Sequence, residues 1–155
     1  MKTIRLLYLL SACCFISCTS QGEAYELKNF PKGAQPEEVG KRIVTKYLAT
    51  PHTRFGNPRA EKAPNYVTYP DACTWLGALW FAKTTHNKGM ATKLKDRFEP
   101  LFGEESKMLP RKVHVDYNVF GAVPLEIYMQ DMGDHRYYDL GMSYADTQWE
   151  VPEDA

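Results

Sequence analysis

The chain has 155 residues, enough for one domain with a real core. Its 44% hydrophobic and 25% charged residues fit a globular protein rather than a disordered tail. Lys plus Arg and Asp plus Glu both number 19, so no basic excess points to a nucleic-acid binder. Ten Tyr and three Trp suit core packing, and also carbohydrate surfaces, where flat rings meet apolar sugar faces.

Residues 1–17 read as an address. Lys2 and Arg5 precede an apolar run, Leu6 to Ile16, that is too short to span a bilayer and fits a secretory signal. Leu10-Ser-Ala-Cys13 and Phe15-Ile-Ser-Cys18 each resemble the lipobox of bacterial lipoproteins. Cys18 is preferred for lipidation, because it leaves a longer apolar run and a polar Thr-Ser-Gln-Gly tail. Cys13 is the alternative, and a plain signal peptide with bystander cysteines is a third reading. A lipoprotein would be membrane-anchored in the cell envelope, periplasmic or at the outer membrane. Loss of residues 1–17 removes Lys2 and Arg5 and no acid, leaving a net charge of −2.

After processing at Cys18 only Cys73 remains free in the body, so no intrachain disulfide forms. Its apolar neighbours, Ala72 and Trp75 among them, predict a buried thiol. No Cys/His spacing resembles a metal site. Residues 18–35 lack a sustained apolar period and read as a tether.

The first helix is predicted over 36–49, with Pro36 at its first position and Glu37 and Glu38 at its positive end. Val39, Ile43, Val44, Tyr47 and Leu48 form its buried stripe. Residues 51–69 read as a polar loop with short extended pieces at 53–55 and 66–69. A second helix runs from about Pro70 to Thr85. Ala72, Trp75, Leu76, Leu79, Trp80 and Ala82 make it apolar round much of its circumference, which predicts burial against more than one neighbour. Trp75, one turn in, is a candidate to stack on a sugar at a pocket mouth, with plain core packing as the other reading. A third helix is predicted over 90–102, a fourth over 117–132 and a fifth over 137–148. Pro124 lies inside the fourth and predicts a kink.

The central stretch is His114-Val-Asp-Tyr-Asn118. If extended, it puts His114, Asp116 and Asn118 on one face and Val115, Tyr117 and Val119 on the other. Polar side chains just ahead of a helix serve as caps and also build sites. A weak repeat frames this stretch. The turns at Asn87 and Asp134 lie 47 residues apart, a period that suits stacked helix pairs.

Five segments then carry a family resemblance: Tyr69-Pro-Asp-Ala-Cys-Thr-Trp75, Arg97-Phe-Glu-Pro-Leu101, His114 to Gly121, Pro124-Leu-Glu-Ile-Tyr128 and Tyr144-Ala-Asp-Thr-Gln-Trp149. Together they resemble the N-terminal half of bacterial glycoside hydrolases of families 88 and 105, the unsaturated glucuronyl and rhamnogalacturonyl hydrolases. The resemblance covers about 36–155. It implies an all-α fold of α/α helical hairpins, part of a six-hairpin α/α toroid, acting on lyase-generated unsaturated oligosaccharides. It implies no metal and no cofactor. Such enzymes hydrate the 4,5 double bond of an unsaturated uronic acid, after which the sugar opens and the glycosidic bond falls apart. By position, Asp116 resembles the first of the family's two catalytic aspartates. His114, Asn118, Trp75 and Tyr117 are the expected substrate contacts. Protonating the enol-ether carbon takes a carboxylic acid that keeps its proton near neutral pH, so Val115, Tyr117 and Phe120 are expected to supply apolar surroundings. As a non-catalytic alternative, Asp116 is a helix cap.

Nothing resembles the family's second aspartate motif; Asp146-Thr-Gln-Trp149 has the wrong order. Six hairpins at this spacing would need about 282 residues. The chain is therefore expected to hold the first two to three hairpins, to be inactive alone, and to associate through exposed inner helices. The alternative is a non-catalytic sugar-binding or helical-repeat interaction lipoprotein.

Overall fold

A computed structural model describes residues 28–56 and 59–149. The expected signal segment and both candidate lipidation sites, Cys13 and Cys18, lie outside the described residues. The chain divides into two units, residues 1–30 and 31–155. Only residues 28–30 of the first are described; Asn29 there has a left-handed φ of 69°. Everything below concerns the second unit.

Residues 31–35 were expected in the tether but are folded. The Ala34 amide donates to the Pro31 carbonyl at 2.9 Å, and the Arg42 guanidinium donates to the Gly33 carbonyl at 2.7 Å. The unit is all-α, with no strand among the described residues. Its helices are α1 (Pro36–Leu48), α2 (Tyr69–Thr84), α3 (Lys88–Asp96), a single turn α4 (Val115–Asn118), α5 (Ala122–Gln130) and α6 (His135–Asp146). No described helix is long and apolar enough to cross a membrane.

Local chemistry accounts for most boundaries. α1 opens on Pro36 with Glu37 and Glu38 in its first turn and closes with Lys46 in its last, matching the helix dipole at both ends. α3 is capped by Asn87, whose side chain accepts from the Met90 amide at 3.0 Å. α6 is capped by Asp134, which accepts from the Arg136 amide at 3.0 Å. The two repeat positions are thus both N-caps, each opening the second helix of a hairpin.

Several segments differ from expectation. Residues 52–54 form a 3₁₀ turn rather than an extended piece. α3 stops at Asp96, and Glu99–Phe102 continues as a 3₁₀ turn around Pro100. The fourth helix is split into α4, a 3₁₀ turn at Val119–Gly121, and α5. Pro124 has no amide hydrogen for the Phe120 carbonyl, so the break falls where that bond would have been made.

The core is aromatic and centres on Phe98. Its ring lies 5.3 Å from Trp75, 5.7 Å from Phe120 and 5.2 Å from Tyr137. All four side chains are fully buried, with Leu79, Leu94, Val123 and Tyr144 around them. The two hairpins meet through α2 and α5: Gln130 Nε2 donates to the Leu79 carbonyl at 3.1 Å, and Lys83 pairs with Glu126 at 3.3 Å.

α2 is not covered all round. Tyr69 and Trp80 are half exposed, and Cys73 between them is exposed. The expected buried thiol is therefore on the open face of this helix. Ile43 is likewise exposed, so the α1 stripe narrows to Val44 and Tyr47, with Val39 and Leu48 half-buried.

Candidate functional site

His114 is not part of an extended segment. It is the N-cap of α4, with φ −154° and ψ 147°, and its Nδ1 accepts the Asp116 amide hydrogen at 3.1 Å. A cap of this kind satisfies one of the free amides at a helix start. Nδ1 also lies 3.6 Å from Asp116 Oδ2. The two roles exclude each other, because the cap needs an unprotonated Nδ1 and an ion pair needs a protonated one. The cap has hydrogen-bond length and the ion pair does not, so the cap is the contact that Nδ1 makes.

The helical turn changes which residues gather. His114, Asp116 and Tyr117 line an open hollow of about 800 Å³, with Tyr66, Tyr69 and Phe55 on other walls. Tyr66 and Tyr117 meet edge to face, ring centroids 5.2 Å apart, and His114 stands 6.1 Å from Tyr117. Asn118 does not join them. Its Oδ1 is buried and has no hydrogen-bond partner among the described residues. One helical residue turns the side chain by about 100°, so alternate positions no longer share a face.

Trp75 does not line the hollow. It has no exposed surface, and its indole N–H donates to the Leu94 carbonyl at 3.1 Å. With both ring faces in the core it has no surface for a sugar. The expected apolar shield of Asp116 is also thinner than the sequence implied. Phe120 is buried in the core, Val115 is 65% exposed, and the Asp116 side chain is 62% exposed.

Behind the hollow lies a buried polar knot that the sequence reading missed. Asp71 has no exposed surface; Tyr47 donates to its Oδ1 at 2.8 Å, and His52 Nδ1 meets its Oδ2 at 2.5 Å. Burial, first, and the neighbouring Asp71 charge, next, push the Tyr47 phenol far above its usual range, so it stays a donor. Arg97 donates to the Thr50 carbonyl at 2.8 Å and lies over the Tyr47 ring at 4.5 Å. It is also 3.3 Å from His52 Nδ1. The two contacts compete for that nitrogen: as a donor to Asp71 it cannot also accept from Arg97. His52 Nε2 and Arg97 Nε are buried without hydrogen-bond partners among the described residues.

This knot pins residues 50–55 against α1 and α2. Thr68 Oγ1 then donates to the Phe55 carbonyl at 2.7 Å and fixes that wall of the hollow. The local signal was slight: one acid beside Pro70 at the head of an otherwise apolar helix, and one arginine before Phe98.

A second hollow of about 480 Å³ lies at the other end of α2 and α5, lined by Leu79, Lys83, His86 and Gln130 among others. Lys95 and Asp131, also on its wall, pair at 2.6 Å. Its acid, Asp131, is taken up by Lys95, whereas the Asp116 carboxylate is open to the hollow it lines, and the Asp116 hollow is the better candidate. Among the described residues, no group of three or more His, Cys, Asp or Glu side chains is placed to hold a metal ion. Comparison with family models, with curated proteins and with solved structures gave no match.

Proposed function

We propose that this chain is the amino-terminal part of an unsaturated uronyl hydrolase of the α/α-toroid type. The observation that carries the reading is Asp116, which stands with His114 in the wall of a sugar-sized hollow ringed by Tyr66, Tyr69 and Tyr117. In this reaction water adds across the 4,5 double bond. One carbon takes a proton and its neighbour a hydroxyl, and the resulting hemiketal opens and releases the rest of the oligosaccharide. Asp116 is the proton donor in this reading. His114 and Tyr117 hold the sugar or the water, while Trp75 and Asn118 have no part in contact.

The two hairpins with capped second helices support a toroid. So does the open face of α2, which carries Tyr69, Cys73 and Trp80 at helical spacing and suits further hairpins packed against it. Those hairpins would enclose Asp116 and bring the second acid. The lipid anchor at Cys18 and a place in the cell envelope belong to the same proposal. A Cys18→Ser variant that still takes up labelled fatty acid would remove Cys18 from it.

The test is a titration with an unsaturated uronyl disaccharide, followed at the amide signals of His114, Asp116 and Tyr117. Saturable shifts are expected there, and their absence refutes the reading. In a form of the protein that carries further hairpins, Asp116→Asn should abolish the loss of double-bond absorbance while folding persists.

A second reading, sugar binding without catalysis, is favoured by the 62% exposure of the Asp116 side chain. A proton donor at neutral pH needs more apolar enclosure than that. Binding with no loss of double-bond absorbance in any longer form would select it.

A further inference from the structure

The second hollow, of about 480 Å³, is set between the ends of α2 and α5 and the start of α3. Its floor is apolar. Leu79, Ala82 and Ile127 are buried beneath it, and Met129, which is exposed, also lines it. A hollow of this size between helices, apolar with a few polar groups on its wall, is the common form of a small-molecule site.

Most of the polar groups on this wall are already used. Lys83 and Lys95 are tied to Glu126 and Asp131. Gln130 donates to the Leu79 carbonyl and to Glu126. The Asn87 side chain accepts from the Met90 amide, and the Thr92 hydroxyl donates to the Lys88 carbonyl. His86 and Lys88 are left, the two polar side chains of the wall without a partner among the described residues.

His86 also stands where a histidine costs stability. Its φ is 52°, in the left-handed region that favours glycine. Its amide donates to the Lys83 carbonyl at 3.1 Å, and the Asn87 amide donates to the Ala82 carbonyl at 2.8 Å. This pair of bonds closes a helix, and glycine usually holds the place that His86 takes. In the second hairpin Gly133 holds the equivalent position, one residue ahead of the Asp134 cap. Strain at a residue other than glycine is found where a side chain serves a ligand.

We propose that this hollow binds a carboxylate that carries an apolar chain, with its head between His86 and Lys88 and its chain over Leu79, Ala82 and Ile127. The charge count selects a carboxylate. Lys83 and Lys95 are each matched by an acid, so Lys88 is the unmatched lysine of the wall and suits one negative charge. A phosphate ester carries about 1.5 to 2 charges at pH 7. The His86 ring has an N–H to donate in either protonation state. The inference is independent of the Asp116 reading, which concerns the opposite end of α2.

The test titrates the chain with octanoate, octanol, acetate and octyl phosphate, below the concentrations at which micelles form. The amide signals of His86, Lys88 and Ile127 report binding. Octanoate should give saturable shifts there and none at His114 or Asp116. It should bind about ten-fold or more tightly than octanol, the worth of one charge-assisted hydrogen bond. Acetate, with no chain, should bind more weakly than octanoate. Lys88→Gln should remove the advantage of octanoate and leave octanol unchanged. His86→Gly should weaken octanoate and yet raise the melting temperature, a pair of effects that a merely structural histidine would not give. Both side chains are exposed, and circular dichroism checks that the variants fold. Equal affinity for octanoate and octanol, or for octanoate and acetate, overturns the proposal. So do an unaltered affinity in Lys88→Gln, tighter binding of octyl phosphate than of octanoate, and the absence of shifts around the hollow.

Discussion

The carboxylate of Asp71 and the imidazole of His52 meet at 2.5 Å where neither is open to water: Asp71 is 0% exposed and His52 7%. Tyr47 closes the same carboxylate from the other side at 2.8 Å. A buried acid in such a place is tolerated only because its hydrogen bonds are made. Asp71→Ala should therefore cost about 3–5 kcal/mol, because it strands His52 and the Tyr47 hydroxyl. Chemical denaturation of both proteins measures it. The removal of an exposed acid such as Glu61 should cost under about 0.5 kcal/mol by comparison. A cost that small for Asp71→Ala would mean that the knot does not hold the loop at 50–55.

Gly121, just ahead of α5, and Gly141, within α6, approach each other closely. A methyl group at 121 would sit 2.6 Å from Tyr144 Cβ and 3.0 Å from the Gly141 carbonyl; one at 141 would sit 2.9 Å from the Gly121 carbonyl. Backbone cannot step aside as a flexible side chain can, so Gly141→Ala is expected to destabilise by ~1–3 kcal/mol. Gly77, within α2, has nothing within 4 Å of the same position. There the usual cost of a glycine in a helix is relieved, and Gly77→Ala should stabilise by ~0.5–1 kcal/mol. Thermal melts of the two variants should move in opposite directions; a shared direction would show that helix propensity, not the close approach, governs both sites.

Helical period and caps were legible in the sequence. α1, α2 and α6 lie within about two residues of expectation, and Asn87 and Asp134 cap their helices. The central stretch was not legible, because five residues of alternating polarity fit both an extended strand and a capped helical turn. His114 decides between them by bonding the Asp116 amide, and a histidine cap carries no strong local signal. Trp75 and Trp80 show a second limit. Both sit in an apolar helix, and which of them is covered depends on where α3 and α5 pack. The knot was beyond reach for the same reason, since Tyr47, His52, Asp71 and Arg97 come from four separate segments and meet only in the fold.

Cys73 lies one helical turn from Tyr69, on the open face of α2. A hydrogen bond to Cys73 is the leading cause that holds the Tyr69 phenol above its usual range. In a chain that lacks residues 1–18 it is the remaining cysteine, so one thiol is counted. That thiol should react with a thiol-specific reagent in the native state within about ten-fold of its rate in denaturant, since access limits reactivity. A native rate lower by orders of magnitude would mean that further chain or a second copy covers α2.

Glu126 links α5 to α2 and sets an acid limit on stability. Burial acts to raise its pKa, but hydrogen bonds from Gln130, Trp80 and Lys83, with the Lys83 charge, outweigh it and hold the carboxyl below the ordinary value of 4.5. A folded value below the unfolded one means that the unfolded chain binds the proton more readily. The stabilisation is therefore fully present above the unfolded value of 4.5 and is lost as pH falls through the folded one. Asp131 and Asp134 shift the same way, chiefly through hydrogen bonds from Lys95 and Arg136 respectively. Asp131 is open to water and Asp134 half-buried at the surface, and such surface pairs contribute little and weaken with salt. Glu126→Gln should therefore flatten the fall in melting temperature between about pH 5 and 3, and do so in high salt as well. Asp131→Asn should leave that slope nearly as it was. Parallel profiles for Glu126→Gln and the unaltered protein would show that the Lys83–Glu126–Gln130 junction does not couple proton uptake to the packing of the two hairpins.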